Sequence, residues 1–98
     1  MKLVYTDEAI DDLKRLRAFI AAHNPTAAAR IAKELLERIG RLAEFPRMGT
    51  RVEIAPQPDT IRDIVFGNYI VRYSIHPSTV IILRIWHGLE GERSPLSG

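Results

Sequence analysis

Apolar residues recur every three or four positions through the first half of the chain and every second position near its end. Ala9, Ile10, Leu13, Leu16 and Ile20 fall on one face of a helix, which the spacing predicts over residues 7–22. Thr6 reads as its N-cap, and Asp7 and Glu8 put negative charge on the first turn, where the helix dipole favours it. "KLVY" at 2–5 reads as a short strand ahead of that helix. "HNP" ends the helix, with Asn24 as N-cap and Pro25 as first residue of a second one, since proline lacks the N–H that goes unpaired there. Ala28, Ile31, Leu35, Ile39 and Leu42 form the second stripe, opposite a solvated face of Arg30, Lys33, Glu34, Glu37, Arg38 and Arg41. The short connection implies an antiparallel helical hairpin.

Phe45 to Asp59 is rich in structure breakers, with Gly49 among Pro46, Pro56 and Pro58, and reads as irregular. Three strands then follow, "IRDIVF" (61–66), "NYIVRYSI" (68–75) and "VIILRIWH" (80–87), the first two separated by Gly67. The element order is β-α-α-β-β-β, an α+β domain with an N-terminal helical hairpin on a small twisted antiparallel sheet.

Strand faces alternate residue by residue. Tyr69, Val71, Tyr73 and Ile75 therefore share one face, as do Ile81, Leu83, Ile85 and His87. A three-residue loop, Pro77 to Thr79, pairs His76 with Val80 and turns both sets toward the core, against Leu13, Leu16, Ile31, Leu35 and Ile39. The opposite face carries Ile70, Arg72, Ile82, Arg84 and Trp86, and the register sets Arg72 directly across from Arg84. Like charges so placed repel. Two things can relieve them: carboxylates from the chain itself, or a partner bringing negative charge to a sheet face that the helices leave open. Arginine beside aromatic and aliphatic groups has the make-up of an interface.

At 98 residues the chain is read as one domain, 1–98, with a polar tail from about residue 88. It has no cysteine, which excludes disulfides, thiolate metal ligands and cysteine nucleophiles. No apolar run approaches the roughly 20 residues needed to cross a bilayer, and the first residues lack a signal-peptide core, so no membrane association and a cytoplasmic location are expected. A formal charge of +2 permits an acidic partner without demanding one, and no direct sequence-specific DNA binding by the chain alone is expected. No metal and no cofactor are expected: His76 and His87 sit at opposite ends of a strand hairpin, about 20 Å apart, and there is no phosphate-binding glycine loop. One constellation could do chemistry: His87 with Glu90 as a base pair and Arg93 to hold phosphate, against a plain core histidine and a solvated tail.

"NPTAAARIAKELLERIGRLAEFPRMGTR", followed by "IRDIVFGNYIVRYSI" and "VIILRIWHG", resembles the RelE/ParE superfamily of toxins from bacterial toxin–antitoxin modules. The N-P-x-A-A opening of the second helix, the loop with Leu42, Pro46 and Gly49, the Arg62 strand, the Tyr69-to-Tyr73 strand and the I-L-R-I-x-H strand carry the likeness, which covers nearly the whole chain. The resemblance implies the toxin of a type II toxin–antitoxin, or plasmid stabilisation, system, neutralised by a cognate ParD-like antitoxin in a hetero-oligomer. The superfamily has two mechanisms. Ribosome-dependent mRNA endonucleases of the RelE kind carry an arginine after the first tyrosine of the penultimate strand and a tyrosine in the tail; here Ile70 fills that slot and no tyrosine follows His87. The ParE kind acts on DNA gyrase, and the N-P-x-A-A helix is closer to it, although Glu90 stands where that branch often has arginine. The ParE-like branch, non-enzymatic, is therefore the expectation. Ile70, Arg72, Ile82, Arg84, Trp86 and Arg93 are the candidate contacts for antitoxin or target. On the ribonuclease alternative the candidates are Arg62, Arg84, His87 and Glu90, with Arg51 and Arg72 in support.

Overall fold

A computed structural model describes residues 1–52 and 60–88. The order is β1 (Lys2–Tyr5), α1 (Asp7–His23), α2 (Ala28–Gly40), a 3₁₀ turn (Arg41–Ala43), β2 (Thr50–Arg51), β3 (Ile61–Phe66), β4 (Tyr69–Ile75) and β5 (Thr79–His87). The two helices pack on one sheet of five strands in the order β1-β5-β4-β3-β2. This is the expected α+β architecture, with two additions. β1 runs parallel to β5, which makes the sheet mixed, and the breaker-rich segment supplies the two-residue β2, paired with β3. Among the described residues no helix is long and apolar enough to cross a membrane.

Thr6 caps α1 as its sequence position predicts, accepting a hydrogen bond from the Ala9 amide at 3.0 Å. The start of α2 lies later than expected. Residues 25–27 form a turn, in which the Asn24 side chain accepts from the Ala27 amide at 3.3 Å, and the helix begins at Ala28 without a side-chain cap. Asn24 instead closes α1, its amide donating to Ile20. Leu16 and Ile20 from α1, Leu35 and Ile39 from α2, and Leu42 pack onto Val71, Tyr73, Val80, Ile82 and Ile85. Ile10, assigned to the α1 stripe by spacing, is exposed.

The β4–β5 hairpin departs from the expected register in an instructive way. His76 and Thr79 face each other, the His76 amide donating to the Thr79 carbonyl at 2.8 Å, so the loop is the two residues Pro77 and Ser78. Val80 then pairs with Ile75, Ile81 with Ser74 and Ile82 with Tyr73. A bulge at Leu83 restores the expected pairing of Arg84 with Arg72 and Trp86 with Ile70. One extra residue inverts the faces before it. Ile82, placed by alternation on the open face, is buried in the core together with Val80, while Ile81 and Leu83, placed in the core, are half-buried. The bulge lies where β1 gives way to α1 beside β5. The Thr6 amide donates to the Ile82 carbonyl at 3.1 Å, and its hydroxyl donates to the Leu83 carbonyl at 3.0 Å.

Two glycines are structurally required. Gly67 turns β3 into β4 with φ +58°, which side chains disfavour. At Gly49 a Cβ would lie 2.6 Å from the Asp63 carbonyl and 2.7 Å from the Tyr73 hydroxyl. That hydroxyl ties the loop to the sheet, accepting from the Gly49 amide at 2.9 Å and donating to the Pro46 carbonyl at 2.7 Å.

Candidate functional site

The two arginines face each other across β4 and β5 as the sequence predicts, and each finds its carboxylate within the chain. Arg72 makes a bidentate pair with Asp63 of neighbouring β3, Nε to Oδ1 at 2.8 Å and Nη2 to Oδ2 at 2.9 Å. The pair is mostly shielded, the Arg72 side chain retaining 11% exposure, and the guanidinium lies 5.5 Å from the centre of the Trp86 ring. Arg84 reaches Asp12 of α1, Nε to Oδ2 at 2.8 Å and Nη2 to Oδ1 at 3.1 Å. Asp12 also accepts from the Ile85 amide at 2.8 Å and from Arg15, which in turn donates to the Ile85 carbonyl at 3.1 Å. Asp12 and Arg15 thus satisfy the backbone of β5 beyond the end of β1, where a neighbouring strand would otherwise be needed.

Asp12 is a carboxylate with 2% exposure. Burial alone would push its carboxyl up, but bonds from Arg84, the Ile85 amide and Arg15 outweigh it and hold the group below the usual carboxylate range. The bond from Asp12 raises Arg84 in return. Sequence reasoning missed Asp12 because, beside Asp11 and after Asp7 and Glu8, it reads as one more solvated acid of the first turns.

These contacts revise the sheet-face candidates. Ile82 is on the other side, in the core, and Trp86 is buried rather than exposed. Ile70 is half-buried, and Arg84 keeps 42% side-chain exposure beyond its ion pair. Arg93 and Glu90 lie outside the described residues. Among the described residues, the alternative ribonuclease candidates Arg62, Arg84 and His87 do not converge on one point. Arg62 pairs across the sheet with Tyr73 and donates to the Gly49 carbonyl at 2.8 Å, under the loop. His87 is buried in the core beside Phe19 and Tyr69, with ring centres at 5.2 and 4.8 Å. It stands level with Tyr69, four residues or about 13 Å along β4 from the level of Arg62. Arg84 is paired with Asp12 of α1. Among the described residues no group of three or more His, Asp or Glu side chains could hold a metal ion.

A second surface, absent from the sequence reading, lies between the helices. Above the buried Leu16, Ile20 and Leu35, the partly buried Leu13 of α1 and the exposed Leu36 of α2 border an open groove of about 710 Å³. Ala29 and Ala32 line it from α2, too small to fill the space. Leu36 is 46% exposed. Lys14 and Arg17 from α1, and Lys33 and Glu37 from α2, line the groove with their charges and are exposed. A signal for this surface was present in the doublet Leu35–Leu36, whose second residue falls off the core stripe.

Comparison with known proteins places this geometry in context. Residues 3–91 match the family described as the ParE toxin of the type II toxin-antitoxin system, parDE. Among characterised relatives, the chain is 38% identical over 81 residues to Toxin RelE1 of Caulobacter vibrioides, covering 81% of this chain and 84% of that protein. It is 36% identical over 87 residues to Toxin RelE2 of the same organism, covering 88% and 93%. Among solved structures, a chromosomal ParDE system from P. aeruginosa superposes with a TM-score of 0.74 over 89% of this chain and 95% of the other, at 19% identity. The RelBE2 toxin-antitoxin complex from Mycobacterium tuberculosis superposes with a TM-score of 0.64 over 88% of each chain, at 26% identity.

Proposed function

The chain belongs to the ParE toxin family, as a toxin of a type II toxin–antitoxin system within the ParE/RelE superfamily, and from that premise we propose that its target is DNA gyrase and that it does not cut mRNA. The observation that carries this reading is the commitment of the sheet arginines to structural partners. Arg72 is held by Asp63, Arg84 by Asp12, and Arg62 by the Gly49 carbonyl, while His87 is packed among aromatic rings. Phosphodiester cleavage without a metal needs general acid–base groups and cations converging on one reachable point. The described residues offer no such convergence, and Ile70 occupies the slot where ribonuclease members carry arginine. In this role the protein works in the cytoplasm and is held inactive by a cognate ParD-like antitoxin, with Ile70 and the exposed part of Arg84 as reachable contacts on the sheet side.

The alternative is a ribosome-dependent endonuclease of the RelE kind, a reading supported by the names of the Caulobacter relatives. Purified toxin in a gyrase supercoiling assay, beside a translation-coupled mRNA cleavage assay, separates the two. Inhibition of supercoiling without mRNA cuts is expected. Codon-positioned cuts that disappear in His87→Ala or Arg62→Ala, with supercoiling unaffected, would replace this reading with the enzymatic one.

A further inference from the structure

We propose that the loop from Phe45 to Gly49 is a preorganised knuckle that docks into an acid-rimmed apolar pocket of the protein on which the toxin acts, which on the reading above is DNA gyrase. The outer residues of the loop are apolar and open to solvent. Phe45 keeps 59% exposure and Met48 47%, and Val65 of β3, 67% exposed, borders the same cleft as Met48. Large apolar groups left bare side by side mark a contact surface.

The backbone of this loop is tied down from three sides. Phe45 to Met48 form a tight turn with Pro46 in its second position, closed by the Met48 amide donating to the Phe45 carbonyl at 3.1 Å. The Phe45 amide donates to the Arg41 carbonyl at 2.9 Å, which fixes the turn to the 3₁₀ segment before it. From beneath, the buried Tyr73 hydroxyl holds the Pro46 carbonyl and the Gly49 amide, and Arg62 holds the Gly49 carbonyl. The loop enters all of these bonds through backbone groups, which leaves the side chains of Phe45, Arg47 and Met48 to a partner. An aromatic group positioned before binding loses little freedom on binding, and that is what an interface anchor requires.

Charge and shape select the occupant. Arg38 and Arg41 line the cleft beside Met48, and Arg47 stands in the turn itself; all three are exposed, with Glu44 the one acid between them in the chain. The Arg38 guanidinium lies 4.6 Å from the centre of the Phe66 ring, which holds it at the cleft. A second copy of this chain, knuckle to knuckle, would bring two sets of arginines together, so a partner bearing carboxylates is favoured. A turn that projects outward fits a concavity already formed in a folded protein, whereas a segment that folds as it binds needs a groove to lie in. The occupant is therefore a folded protein with carboxylates around an apolar pocket.

Anisotropy of fluorescently labelled toxin titrated with purified gyrase tests this. Phe45→Ala and Arg47→Glu should each weaken binding at least about tenfold. The arginine loss should shrink as salt rises, and the phenylalanine loss should not. Ile10→Ala, at an exposed apolar residue of α1, should leave binding unchanged. Melting curves confirm that each variant folds, and each should bind the cognate antitoxin like wild type. Wild-type affinity for gyrase in both knuckle variants overturns the proposal, as does an equal loss in Ile10→Ala. Loss of antitoxin binding in the knuckle variants also overturns it, because the loop would then serve the antitoxin. So does binding of a bare DNA duplex that Arg47→Glu removes and Phe45→Ala spares, which would make the arginines a nucleic-acid contact. Growth arrest on expression in cells separates the knuckle from the functional reading. If the wild-type chain arrests growth without binding gyrase and Phe45→Ala relieves the arrest, the gyrase reading fails and the knuckle stands as the target contact. If both knuckle variants bind gyrase and arrest growth like wild type, the knuckle fails and the functional reading stands. A wild-type chain that neither binds gyrase nor arrests growth overturns both.

Discussion

The face around Arg72 and Arg84 and the groove between the helices differ in what they lack. The sheet face looked electrostatically incomplete in sequence, yet Asp63 and Asp12 close both arginines. The groove looked like ordinary helix packing, yet above the buried Leu16, Ile20 and Leu35 it leaves Leu36 exposed beside an open space. Charge finds a partner over a few ångströms from whichever element passes nearby, so unpaired charge in a sequence is weak evidence of an open site. Unfilled apolar volume cannot be corrected by a rotamer change, so it is the more telling deficit. Substitutions that strand a sheet-side charge should then cost folding, whereas a substitution at the exposed rim of the groove, as at Leu36, should cost little.

The largest effect should come from the core side of β5. Ile82→Ala should destabilise by about 2–5 kcal/mol in urea denaturation, whereas Ile81→Ala, one residue away and half-buried, should cost less than half as much. Equal costs would remove the bulge and restore simple alternation.

Next is Asp12→Ala, which strands Arg84, the Ile85 amide and Arg15 together. Breaking a buried pair costs about 3–5 kcal/mol. Because Arg84 stays 42% exposed and water can take over part of its shell, about 2–3 kcal/mol is expected here. The sign with pH follows from a carboxyl held below its unfolded range. The native state binds fewer protons, so the contribution is fully present above the unfolded value of about 3.9 and is lost as pH falls through the lower native value. Asp12→Asn should flatten that part of the acid-unfolding curve, and a variant with the wild-type acid limb would show that Asp12 is not held low.

Asp63→Ala should cost less, about 1–2 kcal/mol, because Arg72 retains its contact with the Trp86 ring. Thermal melts at two salt concentrations measure it. The smallest effect on stability belongs to the groove: Leu36→Asp should shift folding free energy by no more than about 0.5 kcal/mol, since a half-exposed leucine gives up little packing. A large loss there would mean that the groove is part of the core, and the contrast between the two regions would collapse.

Much of this protein is determined locally, and those parts were legible in the residues. Thr6, followed by acids and an apolar stripe, specifies a capped helix through interactions that span one or two turns. Leu35, Ile39 and Leu42 mark the buried side of the second helix, and alternation marks β4 from Tyr69 to Tyr73, because burial acts on each face directly. The expected pairing of Arg72 with Arg84 is met by another route, a two-residue loop and a bulge at Leu83 in place of the three-residue loop that the sequence suggested. What only the tertiary structure decided depends on elements far apart in the chain. The bulge at Leu83 forms where Thr6 takes over from β1 as the neighbour of β5, and nothing within "VIILRIWH" records that change of neighbour. Asp12 is buried because the backbone of Ile85, 73 positions later, needs an acceptor where a strand is missing. The groove exists because Ala29 and Ala32 oppose leucines of α1, a matter of how two helices meet; each stripe alone reads as complete, since period describes which face is buried and says nothing about how closely two faces approach.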